Sequence, residues 1–290
     1  MTRKLRSHLL LLLTALIWGV AFVAQDVAMD YLPPFTFNGS RMLLAGIALM
    51  PFVFRSEKKE KISPSKNHKT LYVAGFWCGL MLFFGSSFQQ LGIAHTSAGK
   101  AGFITALYIV LVPLLGLFRG KKVRIFVWIA VVLCTLGLFL LCINESFQIN
   151  LGDIYLLFCA LSFAGHILVV DSFAHQTNPI RLSCMQFFVC GILSLITALI
   201  FEKPTLSGFI SSLIPILYAG LLSGGVGYTL QIIGQRDTDP TVASLILCLE
   251  SVFAVLAAWL LLGDTLSFRE LSGCVLMFIG ILLAQMPSQK

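Results

Sequence analysis

Residues 91–120, LGIAHTSAGKAGFITALYIVLVPLLGLFRG, and residues 233–262, IGQRDTDPTVASLILCLESVFAVLAAWLLL, align end to end without a gap. Each opens with a short polar loop, continues as an apolar run and is followed by one further apolar run. A membrane-spanning helix needs about 20 predominantly apolar residues, and both stretches supply them. Residue identity between the two is low, so shared hydropathy and element order carry the match. The chain reads as one plan built twice.

Outward from these stretches, apolar runs cover 8–29, 35–54, 70–92, 98–118 and 123–142, then 151–171, 181–201, 208–231, 241–262 and 268–286. Each predicts a helix, because hydrocarbon offers no water to pair an exposed backbone amide. Composition agrees: of 290 residues 58% are hydrophobic and 11% charged, where a soluble domain carries roughly 25% charged. The first 25 residues have the basic start of a leader peptide. Their apolar stretch of about 18 residues is too long for one, and no A-x-A-like site follows, so they predict the first span. All eight cysteines (Cys78, Cys134, Cys142, Cys159, Cys184, Cys190, Cys248 and Cys274) lie inside apolar runs. With no CxxC and no zinc-type His spacing they read as small hydrophobes, and neither metal nor cofactor is expected.

The net charge of +7 could suggest a nucleic-acid partner, but the basic residues sit in short loops between apolar runs. With the N-terminus inside, sixteen of the 20 Lys and Arg fall on the cytoplasmic side, and only Lys203 and Arg269 fall outside. Cytoplasmic loops collect such residues, so both termini are expected inside. Five spans per unit is an odd number, so the second unit must enter the membrane from the opposite face. The expected fold is an all-α polytopic membrane protein of ten transmembrane helices, arranged as two inverted five-helix repeats over 1–146 and 147–290. Inverted repeats suit transport, because two related halves can rock about a site between them.

LLTALIWGVAF (12–22), the early Arg41 of SRMLLAGIAL (40–49) and VASLILCLESVFAVLAAWLLLGDTLSFRELSGCVLMFIGILL (242–283) together resemble the EamA-type members of the drug/metabolite transporter superfamily. Two residues depart from the family's pattern: Asp264 stands where Glu usually follows Leu-Gly, and Ser251 where Pro is frequent. The missing Pro predicts a straighter ninth helix. The resemblance implies export or exchange of amino acids, related metabolites or drug-like amphiphiles through a cavity between the repeats.

Ionisable residues inside a membrane are costly and are therefore candidates for function. Glu250 is the sharpest, ten residues into the ninth run and roughly 14 Å from its inner end at 1.5 Å per residue. It is expected to bind substrate and to couple transport to protonation; its bland alternative is a packing hydrogen bond between helices. Lys100, near the outer end of the fourth run, either meets an anionic group or snorkels to the interface. Trp18 sits mid-run, away from the interfacial belt, and is read as a cavity wall. His166 with Asp171 five residues on could relay protons, or be a satisfied polar group. Tyr108, Tyr228, Gln89, Gln90 and Gln231 are weaker candidates. Arg41 has Asn38 one turn before it and Asp26 and Gln25 at the same level of the first run, and an Arg–Asp tie supporting the site is expected. The SGGVGY run (223–228) predicts a bend or close packing in the eighth helix.

The resemblance, together with where these residues fall, implies a cavity among the first, third, fourth, sixth, eighth and ninth helices, with the others facing mainly lipid or a second subunit. The expected partners are a small-molecule substrate, protons and the lipid bilayer, with room for a homo-oligomer and no nucleic acid. A membrane-embedded enzyme would need a nucleophile and base or a metal set; the sequence has no HExxH, GxSxG or paired intramembrane aspartates. A channel-like facilitator would show a ring of like charges or a re-entrant filter. The reading is a multi-pass inner-membrane transporter and not an enzyme.

Overall fold

The computed structural model describes residues 2–60, 68–96, 98–143, 150–262 and 267–286, with the backbone alone at 56–60, 68, 98–100, 258, 261 and 262. The basic loop at 61–67, the Lys100 side chain, Asp264, Lys290 and the repeat boundary between 146 and 147 therefore lie outside the described residues.

The chain is helical throughout: α1 (Arg3–Met29), α2 (Pro34–Glu60), α3 (His68–Ile93), α4 (Ala98–Ala106), α5 (Tyr108–Phe118), α6 (Ile125–Cys142), α7 (Leu151–Phe173), α8 (Pro179–Phe201), α9 (Leu206–Ser211), α10 (Leu213–Leu217), a π-helical segment (Tyr218–Tyr228), α11 (Thr229–Gln235), α12 (Pro240–Leu247), α13 (Glu250–Leu262) and α14 (Phe268–Ala284). Among the described residues nine stretches of at least 18 residues are apolar enough to cross a membrane. α14, with 17 residues, packs along α6 as a tenth. Polar residues mark the ends. Asn150 and Asp153 form a capping box at α7, Ser267 and Glu270 another at α14, and Asn178 followed by Pro179 starts α8, each satisfying amides that the first turn leaves unpaired. Gly120, at φ 75°, supplies the left-handed turn that closes α5. Outward faces carry bare apolar side chains such as Phe118, Leu199 and Phe201, an arrangement suited to lipid rather than water.

Three runs expected as single helices are interrupted. In the fourth, the Leu107 amide donates to Ile104 O at 3.2 Å, and α5 restarts at Tyr108. In the ninth, the Leu249 amide reaches Ile246 O and the Ser251 amide reaches Cys248 O, both at 3.2 Å; these tightened i to i−3 bonds separate α12 from α13. Ser251 thus does not leave this helix straighter. Cys248 Sγ takes over a loosened carbonyl, donating to Leu245 O at 3.0 Å, and one turn earlier Ser244 Oγ donates to Thr241 O at 2.8 Å; such back-bonding bends helices without a proline. In the eighth, the expected bend is a stretch of widened turns over Tyr218–Tyr228.

Packing falls into matched pairs. The first span lies on the eighth and ninth and the sixth on the third and fourth; the second lies on the seventh and the fifth on the tenth; the third also meets the seventh, and the second the eighth. Glycines set the closest approaches, as small residues do between membrane helices. A Cβ on Gly137 would lie 2.7 Å from Gly273 O, and one on Gly273 2.6 Å from Gly137 O. Gly85 abuts Phe163 as Gly227 abuts Trp18, Gly92 abuts Leu156 as Gly234 abuts Leu11, and Gly39 abuts Leu195 as Gly191 abuts Leu43.

Candidate functional site

Where the interrupted spans converge they surround a central cavity, lined as small-molecule sites are by apolar walls with a few polar groups. α1 contributes Trp18, Ala21, Phe22 and Gln25, spaced at i, i+3, i+4 and i+7 so that they share one helix face. α7 presents Phe163, His166 and Ile167 in the same rhythm. Gln89, Tyr108, Tyr228, Gln231 and Glu250 complete the ring together with Arg41, Ser223 and Leu247.

Glu250 is buried, with 6% of its surface exposed, and it opens α13 immediately after the break. Tyr108 opens α5 after the other break. The Tyr108 hydroxyl donates to Glu250 Oε1 at 3.2 Å. In the gapless alignment of 91–120 with 233–262, position 108 falls on position 250. The two breaks therefore occupy the same place in the two halves, and the residues that follow them meet side chain to side chain.

The aromatic wall is braced by the widened segment. Trp18 Nε1 donates to Ser223 O at 3.1 Å and Thr14 Oγ1 to Gly227 O at 3.3 Å, while the Tyr218 hydroxyl returns a bond to Ile17 O at 3.1 Å. Wide turns leave carbonyls that the helix itself does not fill, and α1 supplies the donors. Tyr228 is the hub of the ring cluster: its centroid lies 4.6 Å from Trp18, 5.8 Å from His166 and 5.9 Å from Phe187.

Arg41 sits on the cavity surface, yet is only 4% exposed. Its Nε donates to Asn38 Oδ1 at 2.9 Å and its NH1 to Gln25 Oε1 at 2.8 Å, and Gln25 Oε1 also accepts from Gln90 Nε2 at 3.0 Å. The Phe37 ring lies 5.2 Å from the guanidinium. Two expectations change here. The second span contributes to the cavity, and the partner of Arg41 is Gln25 rather than Asp26. Asp26 follows Gln25 by one residue, about 100° around the helix, and is exposed. Among the described residues no ion pair joins Arg41 to Glu250, so the cavity holds a cation and a carboxylic acid at separate stations.

His166 Nε2 lies 2.9 Å from Gln186 Oε1, a buried hydrogen bond that ties the ring to α8. Asp171 pairs instead with Lys121 Nζ at 2.6 Å, which removes the expected His166–Asp171 relay: five residues apart, the two lie on different helix faces. Gln89 and Gln231 also line the cavity, and Gln231 Oε1 is a buried acceptor with no hydrogen-bond partner among the described residues.

Of the candidates singled out for substrate contact, Trp18, Gln89, Tyr108, His166, Tyr228 and Glu250 thus surround one space. Arg41 was assigned a supporting place and joins them, whereas Asn38 stays behind it. Gln186 was missed although a lone Gln in the 181–201 run was a visible signal; Phe22, Phe163, Ile167 and Leu247 carried none, being apolar residues in apolar runs.

Residues 5–143 and again 150–286 match the sequence model described as the EamA-like transporter family. An uncharacterized transporter of Archaeoglobus fulgidus is 30% identical over 294 residues, spanning 98% of this chain and 87% of its own. The Bacillus subtilis protein described as uncharacterized transporter YoaV is 23% identical, covering 92% of each chain. Protein PagO of Salmonella typhimurium is 23% identical, covering 97% of this chain and 93% of its own. A solved crystal structure superposes with a TM-score of 0.76 over 96% of both chains at 17% identity, a likeness of fold.

Proposed function

Because this chain belongs to the EamA-like transporter family, we propose that it is a secondary transporter carrying small metabolites outward across the bacterial inner membrane by alternating access. The observation that carries this reading is the cavity itself. Aromatic and aliphatic walls surround one carboxylic acid at Glu250 and one guanidinium at Arg41, a division in which apolar burial holds the ligand and few polar groups orient it. The substrate is a compound with an apolar body and a charged group, such as an amino acid or amphiphilic metabolite. Glu250 receives an amine, or exchanges a proton as substrate arrives, and Tyr108 holds the carboxyl in the empty site. Gln231 Oε1, an unfilled acceptor, takes a donor from the same ligand.

Alternating access is supported by the matched span pairs, by the self-facing Gly137–Gly273 contact and by the meeting of positions 108 and 250, all expected of inverted repeats about an internal two-fold axis. The sixteen-to-two division of basic residues supports both termini inside. A thermal-shift screen of the purified protein against amino acids and metabolites tests the reading, since a ligand of the folded state raises the midpoint. Hits should then be transported in reconstituted vesicles, and transport confined to sugars or inorganic ions would overturn it.

A further inference from the structure

A second cavity opens where the end of α5, the loop 119–124 and the start of α6 meet the start of α12. Three cations, Lys121, Lys122 and Arg124, line it against one carboxylate, Asp239. The acid is committed, because Asp239 Oδ1 caps α12 by accepting from the Thr241 amide at 2.9 Å. Lys121 is committed too, to Asp171 at 2.6 Å. Arg124 holds the end of α14 through Met286 O at 3.0 Å and Ala284 O at 3.4 Å. Lys122 is exposed and has neither a hydrogen-bond nor an ion-pair partner among the described residues. Behind these charges the wall is apolar, with Val112, Val127 and Val242.

We propose that this pocket binds a phosphate group, with Lys122 as its principal ligand and Arg124 and Lys121 completing the positive surround. A compact ammonium suits phosphate as a point charge, and basic pockets between membrane helices at the interface receive anionic head groups. The phosphate of an anionic phospholipid and a soluble phosphate offer the same chemistry there, although the valine wall gives a lipid's glycerol and upper chain something to bury. An anion on Lys122 would tie the α5–α6 loop to α12, the half-helix whose far end is the break that leads into Glu250. The pocket is distinct from the central cavity, and its occupancy is measurable in detergent whatever the transported substrate proves to be.

The test is the thermal unfolding midpoint of the full chain in a neutral detergent at fixed ionic strength. Inorganic phosphate is titrated against chloride, and phosphatidylglycerol against phosphatidylcholine. A saturable rise with phosphatidylglycerol alone assigns the site to a headgroup, and a rise with inorganic phosphate to a soluble ligand. In either case Lys122→Glu and Lys122→Ala should keep the unliganded midpoint, since Lys122 is exposed and makes no hydrogen bond or ion pair among the described residues, and weaken binding roughly tenfold, the loss of one charge-assisted bond. Lys69→Glu, which changes an exposed charge elsewhere, should leave the binding curve unchanged. The proposal fails if neither ligand raises the midpoint above its control, or if Lys69→Glu weakens binding as much as Lys122→Glu.

Discussion

The interrupted fourth span and the interrupted ninth span are two versions of one element. Both break at the same aligned position, at Leu107 and at Cys248–Leu249, and both restart with a polar residue that faces the other. They differ in what that residue is. The fourth span supplies a phenol that donates, and the ninth a carboxyl that accepts. Two carboxylates at this meeting point would repel, and two phenols would offer no charge to a ligand. Two aligned breaks thus give the cavity lining one acidic station through an unlike pair of side chains. The third and eighth spans repeat the lesson on a larger scale: α3 is one continuous helix, whereas its counterpart is widened over Tyr218–Tyr228. The free carbonyls that result are what Trp18 and Thr14 bind.

The largest expected effect comes from erasing the acidic station. Glu250→Gln keeps volume and hydrogen-bonding capacity but cannot titrate, so the protein should fold while pH-dependent transport is lost. The rate for an amine-bearing substrate should fall roughly ten- to a hundredfold, the loss of about 1.5–3 kcal/mol from a charged hydrogen bond. Vesicle uptake across a pH series measures this, and a wild-type rate with an unchanged profile would reduce Glu250 to a packing contact. Next in size is the contrast between the two glycines under the aromatic walls. A Cβ on Gly227 would lie 2.6 Å from Trp18 Nε1, while one on Gly85 meets the Phe163 ring at 3.0 Å. Gly227→Ala should therefore lose about 1–3 kcal/mol and Gly85→Ala less. Equal melting shifts would break the comparison between the eighth and third spans.

Smaller still is Tyr108→Phe, which removes one neutral-donor hydrogen bond and should lower stability by about 1 kcal/mol. Melting curves of this variant in wild-type and Glu250→Gln backgrounds form a cycle, and a coupling near zero would show that the pair does not interact. The smallest net change is expected from the exchange of both residues, Tyr108→Glu with Glu250→Tyr. If the two breaks are equivalent, the exchanged pair re-forms about the same axis and the double variant should melt within about 0.5 kcal/mol of the parent. A double variant as unstable as the sum of its single changes would make the two sites unlike in more than their side chains.

From the sequence alone came the spans and most of the residues around the cavity, and the reason is a single free-energy rule. Water is absent from a bilayer's core, so helices must satisfy their own amides and each polar side chain stands out against its apolar run. That contrast made Trp18, Gln89, His166 and Glu250 legible one by one. The tertiary structure decided how they are joined. Gln25 rather than Asp26 meets Arg41 because adjacent residues point about 100° apart on a helix, a rotation that hydropathy does not record. The breaks at Leu107 and Cys248–Leu249 contain no proline and no glycine. They arise from exchanging i to i−4 bonds for tighter ones, and that exchange, which leaves no mark in composition, brings Tyr108 onto Glu250.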